Sequence, residues 1–381
     1  MDASCLQENL QRALALVSRA VATKTTMPIL GNVLISTDEE RLRISATNLE
    51  IGITTWIDGA VTGHGSLSVD AKLLAEFVNT LPAGQQVTLT AEGNRYALHV
   101  QCGRDKAAIN GLDPSDFPSF PKLDGDAVVA EVDPHLLREM IGQVEFAAAT
   151  DDSRPVLAGV LARIDGTALT LAAADGFRLA VRNGELSQAV DDKLDVIVPA
   201  RAMRELARII GDRSEPVRLA ITPNRSQMLV RVDDTEFLSR LIDGTFPDYR
   251  QIVPREFATK LDVSRDVFLN AVRRASYFAR DNNDVVRLDA HAGDEEFMPG
   301  TLEVSANAAE RGSSQSFVDA AISGPETQIA FNARYLTDVL GVLRGGNVMI
   351  GMNGANQAGV VRLAGSDDYT HVIMPMVIGA N

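Results

Sequence analysis

The chain has 381 residues, 45% of them hydrophobic and 23% charged, with a formal net charge of −15. This is the composition of a soluble globular chain too long for one ordinary core; it excludes a membrane span, since no run approaches eighteen apolar residues, and a protein coated in nucleic acid over its whole surface. Cys5 and Cys102 are too few for a disulfide framework or a cysteine zinc site, and the start MDASCLQENLQRA lacks the order of a secretory signal, so a cytoplasmic setting with no membrane partner is expected.

In chain order, the window 6–20 sets Leu6, Leu10, Leu14 and Val17 on one helical face. A β-type run then leads into Asp70, a predicted N-cap, and a helix over 70–80. The pattern returns over 133–144, with Pro134 in the first turn after Asp133, and again over 199–211, 264–278 and 332–344. The pre-helix positions Val69, Val132, Val198, Val263 and Phe331 lie 63, 66, 65 and 68 residues apart. Six such units fill the chain.

A second pattern recurs at twice that period. Strand, polar turn and strand follow one another in 27–53, 155–181 and 285–310, each with an alanine (Ala46, Ala173, Ala306) near the second turn. Those alanines are 127 and 133 residues apart. The segments DPSDFPSFP (from Asp113) and DGTFPDYRQIVP (from Asp243) are Asp/Pro-rich and read as linkers. The expectation is an α+β chain of three similar domains, 1–127, 128–255 and 256–381, each made of two helix-plus-antiparallel-sheet halves.

The six helical windows carry a net charge of +4 within a chain of −15. This segregation suggests a sequence-independent surface for a polyanion on the helices, with Lys24, Lys72, Arg138, Arg201, Arg204 and Arg273 among its candidates. Nothing supports catalysis. There is no P-loop, GxSxG or HExxH, and the five histidines are scattered. Asp151-Asp152 and Asp294-Glu295-Glu296 read as solvated loop acids, so no metal or cofactor is expected. An open repeat scaffold that binds proteins without enclosing DNA stays compatible with the residue pattern alone.

The segments MPILGNVLI, SATNLEI, ADGFRLAV, VIVPARAMREL, LIDGTFPDYRQIVP, FNARYLTDVL and VIMPM follow one another from Met27 to Met376. In that order they resemble the bacterial DNA polymerase III beta subunit family, the replication sliding clamps. The resemblance implies a head-to-tail homodimeric ring around double-stranded DNA, helices inside, opened by an external clamp loader. It also implies a pocket in which the replicative polymerase and other partners dock a short peptide with leucine and aromatic anchors. Its walls would include Arg154, Leu157, Ala174, Gly176, Phe177, Arg178, Leu179, Pro247, Ile252, Asn332, Tyr335, Val372, Met374, Pro375 and Met376. The implied dimer interface holds Arg104, Lys106, Ala107 and Ile109 on one side and Tyr277 and Phe278 on the other. Ala174, Phe177, Val377 and the extension Gly379-Ala380-Asn381 depart from the family's usual residues.

Overall fold

The computed structural model describes residues 1–91, 96–121, 130–151, 153–293 and 300–377. Asp152, the 294–296 acids, the 379–381 extension and the expected 127/128 boundary lie outside them. Six α-helices stand among the described residues: α1 Gln7–Val17, α2 Ala71–Thr80, α3 Pro134–Val144, α4 Ala200–Ile210, α5 Arg265–Ala279 and α6 Ala333–Val342. Five fall within their expected windows, and α5 runs one residue past 264–278. Asp70 caps α2 by accepting the Leu73 amide at 2.7 Å, and Asp133 accepts the Leu136 amide at 2.8 Å. Leu10, Leu14 and Val17 are buried on α1, but Leu6 is exposed. It ends the strand Asp2–Leu6 and so lies outside the helical stripe.

By its packing the chain groups into two compact units. The first comprises residues 1–138, 186–190 and 205–241, the second 139–185, 191–204 and 242–381. Antiparallel pairing explains this grouping. In the first unit thirteen strands make one sheet, in which Ile51–Asp58 pairs with Thr235–Arg240, placing Ile53 opposite Phe237. In the second, ten strands make one sheet, in which Arg178–Pro199 pairs with Tyr369–Ile373, placing Leu179 opposite Val372. Residues nearly 200 apart in sequence thereby share a ladder, which joins halves of neighbouring repeats in one sheet.

Within these sheets, two inner strands leave one edge open over most of their length. Asp105–Leu112 pairs with Ala97–Cys102 along 105–110, but with Ser66–Asp70 only at Gly111 and Leu112. Gly312–Ser323 pairs with Gly300–Ala308, but with Thr259–Ser264 only from Ala320 onward. Residues 105–110 and 312–319 therefore each present a row of unpaired backbone groups.

The expected linkers are anchored. Phe117 and Phe120 form a T-shaped pair with centroids 6.2 Å apart, and Phe246 and Tyr249 repeat it at 6.4 Å. Phe117 is buried with Ile29 and Leu30, and Phe246 and Tyr249 with Leu161, Leu179 and Val372. The Asp/Pro composition sets the turns, while the aromatics at i and i+3 fasten them to the sheets.

Phe237 is fully buried at the first seam, and Trp56, the one tryptophan, lies on the strand it pairs with. Phe237→Ala should cost about 3–5 kcal/mol, read as a lower denaturation midpoint by Trp56 fluorescence.

Candidate functional site

The second seam begins at a tight turn. Asp175 Oδ1 accepts the amides of Phe177 and Arg178 at 2.8 and 3.0 Å. Gly176 has φ +95°, and a β-carbon there would lie 2.8 Å from the Arg154 guanidinium. The positive φ of the turn is what favours glycine, since the arginine tip above it is flexible. The Phe177 carbonyl then accepts the Met374 amide at 2.8 Å, and the Ala330 carbonyl accepts that of Met376 at 2.8 Å. The segment after strand Tyr369–Ile373 is thus tied at both ends.

Arg178 is spent internally. Its Nε donates to Asp175 at 3.1 Å, Nη1 to Asp338 at 2.6 Å and Nη2 to the Phe146 carbonyl at 2.7 Å. Its guanidinium lies over the rings of Tyr335 (4.3 Å) and Phe146 (5.3 Å), and the side chain is only 10% exposed. Three of its five N–H groups are thereby used in fixing the turn to α6 and to the Phe146 carbonyl. Burial raises the Tyr335 phenol above its ordinary value. Asn332 is similarly occupied, capping α6 by accepting the Arg334 amide at 2.9 Å.

The remaining pocket residues divide into floor and rim. Leu179 and Val372 are buried with Leu161 and Val360, and Val156, Ala174 and Val253 pack on them half-buried. Leu157, Pro375 and Met376 are also half-buried. Phe177 (60% exposed), Ile252 (59%) and Met374 (48%) stand out with Pro247. Arg154 faces Asp151 at 3.3 Å. The result is an apolar surface on a rigid frame, suited to seating aliphatic or aromatic side chains.

Sequence reasoning passed over Asp175, Asp338, Phe146 and His371. Asp175 was readable from Asp-Gly, a turn signal. Asp338 was not, since 160 residues separate it from Arg178.

The basic candidates lie on the surface. Arg138 is tied to Asp212 and the Gly211 carbonyl, and Arg204 to Glu145. Lys72 faces Glu76 at 3.8 Å. Lys24, Arg201 and Arg273 are exposed and make no ion pair among the described residues. At the open edges Arg104 and Lys106 are exposed, Ala107 and Phe278 are half-buried and Tyr277 is 62% exposed. Ile109 is buried beneath its own sheet, so only its backbone lies on the open edge. Phe317, 63% exposed on the edge 312–319, was not anticipated.

No helix among the described residues is long and apolar enough to cross a membrane, and no cluster of three His, Cys, Asp or Glu among them could hold a metal.

The DNA polymerase III beta subunit family matches in three consecutive parts: its N-terminal domain over residues 1–121, its central domain over 131–248 and its C-terminal domain over 250–377. The chain belongs to that family. It is 32% identical to the beta sliding clamp of Synechocystis sp. over 99% of both chains, and 30% identical to that of Bacillus subtilis over 94% of this chain and 95% of the relative. A crystal structure of the Bacillus subtilis DNA polymerase sliding clamp covers 99% of both chains with a TM-score of 0.93 at 28% identity. The Pseudomonas aeruginosa DNA polymerase III subunit beta covers 99% of this chain and all of that one with a TM-score of 0.91 at 28% identity. The fold is thus the three-domain sliding clamp fold, and the chain is a clamp of DNA replication, a processivity factor and not an enzyme.

Behind the pocket of this clamp, His371 is fully buried, stacked on Phe146 and Tyr369, with Nδ1 3.3 Å from the Tyr369 hydroxyl and no partner for Nε2. Burial first, and the positive Arg178 second, push its imidazole down to about 3. The unfolded chain protonates this group near pH 6.5, the folded chain only near 3. The stability tied to neutral His371 is therefore complete above pH 6.5 and is lost as the pH falls toward 3. Between pH 7 and 5 the natural protein should lose about 2 kcal/mol more than His371→Phe, measured by denaturant unfolding at both values.

Proposed function

We propose that two copies of this chain close head to tail into a ring that holds duplex DNA by enclosure, and that the apolar surface around Phe177, Ile252 and Met374 docks partner peptides. The three family matches support domains near 1–127, 128–255 and 256–381. The observation that carries the reading is the pair of open edges. Asp105 stands opposite Cys102 across a two-residue turn, as Thr235 stands opposite Val232. Ala306 stands opposite Ser314, as Ala46 stands opposite Ile53. The open edges are thus the counterparts of the two strands that meet in the first seam. Carrying over the pairing of Ile53 with Phe237 sets Ser314 of one protomer against Ala107 of its partner, and Gln315 against Lys106.

Tyr277 and Phe317 would then be covered by the partner, which accounts for two large exposed aromatics flanking an open edge. Lys24, Lys72, Arg201 and Arg273 are our choice for DNA-facing groups. Contacts to phosphates from such scattered cations are weak and carry no sequence information, which suits sliding. Ring opening would fall to an external loader. A cytoplasmic, nucleoid-associated setting follows from a DNA-bound role.

Lys106→Cys with Gln315→Cys should yield a covalent dimer on mild oxidation, resolved by denaturing electrophoresis. Lys106→Cys with Ser313→Cys, two residues out of register, should cross-link poorly. Cys5 and Cys102 are buried, and burial pushes the Cys5 thiol up to about 12, so background is low. The locked ring, once loaded, should persist on a nicked circle and leave after linearisation. Equal retention on both forms would sink the enclosure reading.

Met374→Asp should weaken binding of a polymerase-derived peptide at least tenfold, by titration with a labelled peptide, while sedimentation leaves the dimer unchanged. Truncation, by contrast, must begin beyond Ile373, because Val372 and Ile373 are buried in the seam.

A further inference from the structure

The two seams carry one set of local devices. At the first, Asn48 Oδ1 accepts the Glu50 and Ile51 amides at 3.0 and 2.9 Å, as Asp175 does for Phe177 and Arg178. Leu49 holds φ +73° where Gly176 holds +95°. The Glu50 carbonyl accepts the Arg240 amide at 2.8 Å, as that of Phe177 accepts the Met374 amide. A 3₁₀ turn flanks each seam, Pro28–Gly31 at the first and Pro155–Ala158 at the second, and each has its T-shaped aromatic pair. The first seam therefore has the frame of the peptide pocket.

What differs is access. Val156 and Leu157 are half-buried at the second seam, whereas their counterparts Ile29 and Leu30 are only 6% and 4% exposed. Phe120 accounts for the difference. Its ring packs on the Ile29–Leu30–Phe117 cluster and also on the Ala220–Leu229–Leu238 cluster. It lies directly over Gly52, where a β-carbon would be 2.6 Å from the ring. The residue opposite Gly52 is Leu238, as Val372 is opposite Leu179. Gly52 thus stands where the second seam has a leucine side chain, and the space it leaves is filled by the ring.

We propose that Phe120, seated on Gly52, is an intramolecular plug that closes a second peptide pocket at the first seam, so that each protomer offers one docking pocket and not two. The inference rests on reading the second seam as a peptide pocket. Apolar groups that would anchor a peptide are already satisfied within the chain.

The test is binding stoichiometry, by calorimetric titration of the full-length protein with a labelled pentapeptide bearing a leucine and a phenylalanine. The natural protein should bind one peptide per protomer and Met374→Asp none. Phe120→Ala should bind two, and Phe120→Ala combined with Met374→Asp should regain one. Gly52→Ala, whose methyl pushes the ring off the sheet, should also raise the count above one, and it serves should Phe120→Ala fail to fold. The plug is refuted if the natural protein binds two peptides. It is equally refuted if folded Phe120→Ala and Gly52→Ala variants, checked by circular dichroism and Trp56 fluorescence, gain no site. Full binding by Met374→Asp alone would overturn the pocket reading itself, and the plug with it.

Discussion

A strand edge with free amide and carbonyl groups recruits another strand, and this chain is organised around where that recruitment happens. Twice, a strand that leaves a tight turn accepts the strand that closes a later half-repeat: Ile51–Asp58 takes Thr235–Arg240, and Arg178–Pro199 takes Tyr369–Ile373. Those ladders make the two compact units cut across the expected three repeats. They also give the buried apolar groups a continuous sheet to lie against, and so carry much of the core.

The seam also explains why the docking surface is preformed. An exposed apolar rim would collapse or wander unless its backbone were held independently of any partner. Here Asp175 fixes the turn, Arg178 fastens it to Asp338 and the Phe146 carbonyl, and the Met374 and Met376 amides hold the segment beyond the strand. An arginine taken from water is tolerated because its guanidinium meets two carboxylates, a carbonyl and two rings. The fixed frame spares the partner the cost of ordering it.

Much of this was legible in the chain itself. The six helices were readable because a buried stripe at 3.6-residue spacing recurs at a near-constant interval, and Asp70 and Asp133 announce their starts. The family was readable from strings such as ADGFRLAV, whose Asp-Gly pair is a turn signal. What resisted reading was pairing at long range. Arg178 looks like an exposed charge until Asp338 is brought to it. Ile109 looks available until its strand's inward face is known. Phe117, Phe120, Phe246 and Tyr249 sit in Asp/Pro-rich stretches with the composition of linkers, yet they pack into the core. Composition describes a segment's own backbone, whereas burial depends on what the rest of the chain leaves uncovered.

Equivalent turns recur three times in the chain with different consequences, the first two sharing a side-chain oxygen that accepts two amides. After 48–51 the emerging strand is paired, and the space at Gly52 holds the Phe120 ring. After 175–178 the strand is also paired, but Leu179 fills its own place and the half-buried groups around it stay open. After 309–311 the strand has no second neighbour along 312–319. These three outcomes need no new architecture. They follow from one side chain's size at the turn and from whether the chain supplies a later strand. In the reading argued above they correspond to a closed pocket, an open pocket and an edge kept for a second copy. A repeat can therefore acquire distinct functions by small changes at equivalent positions while the helices and ladders that pack the core stay the same.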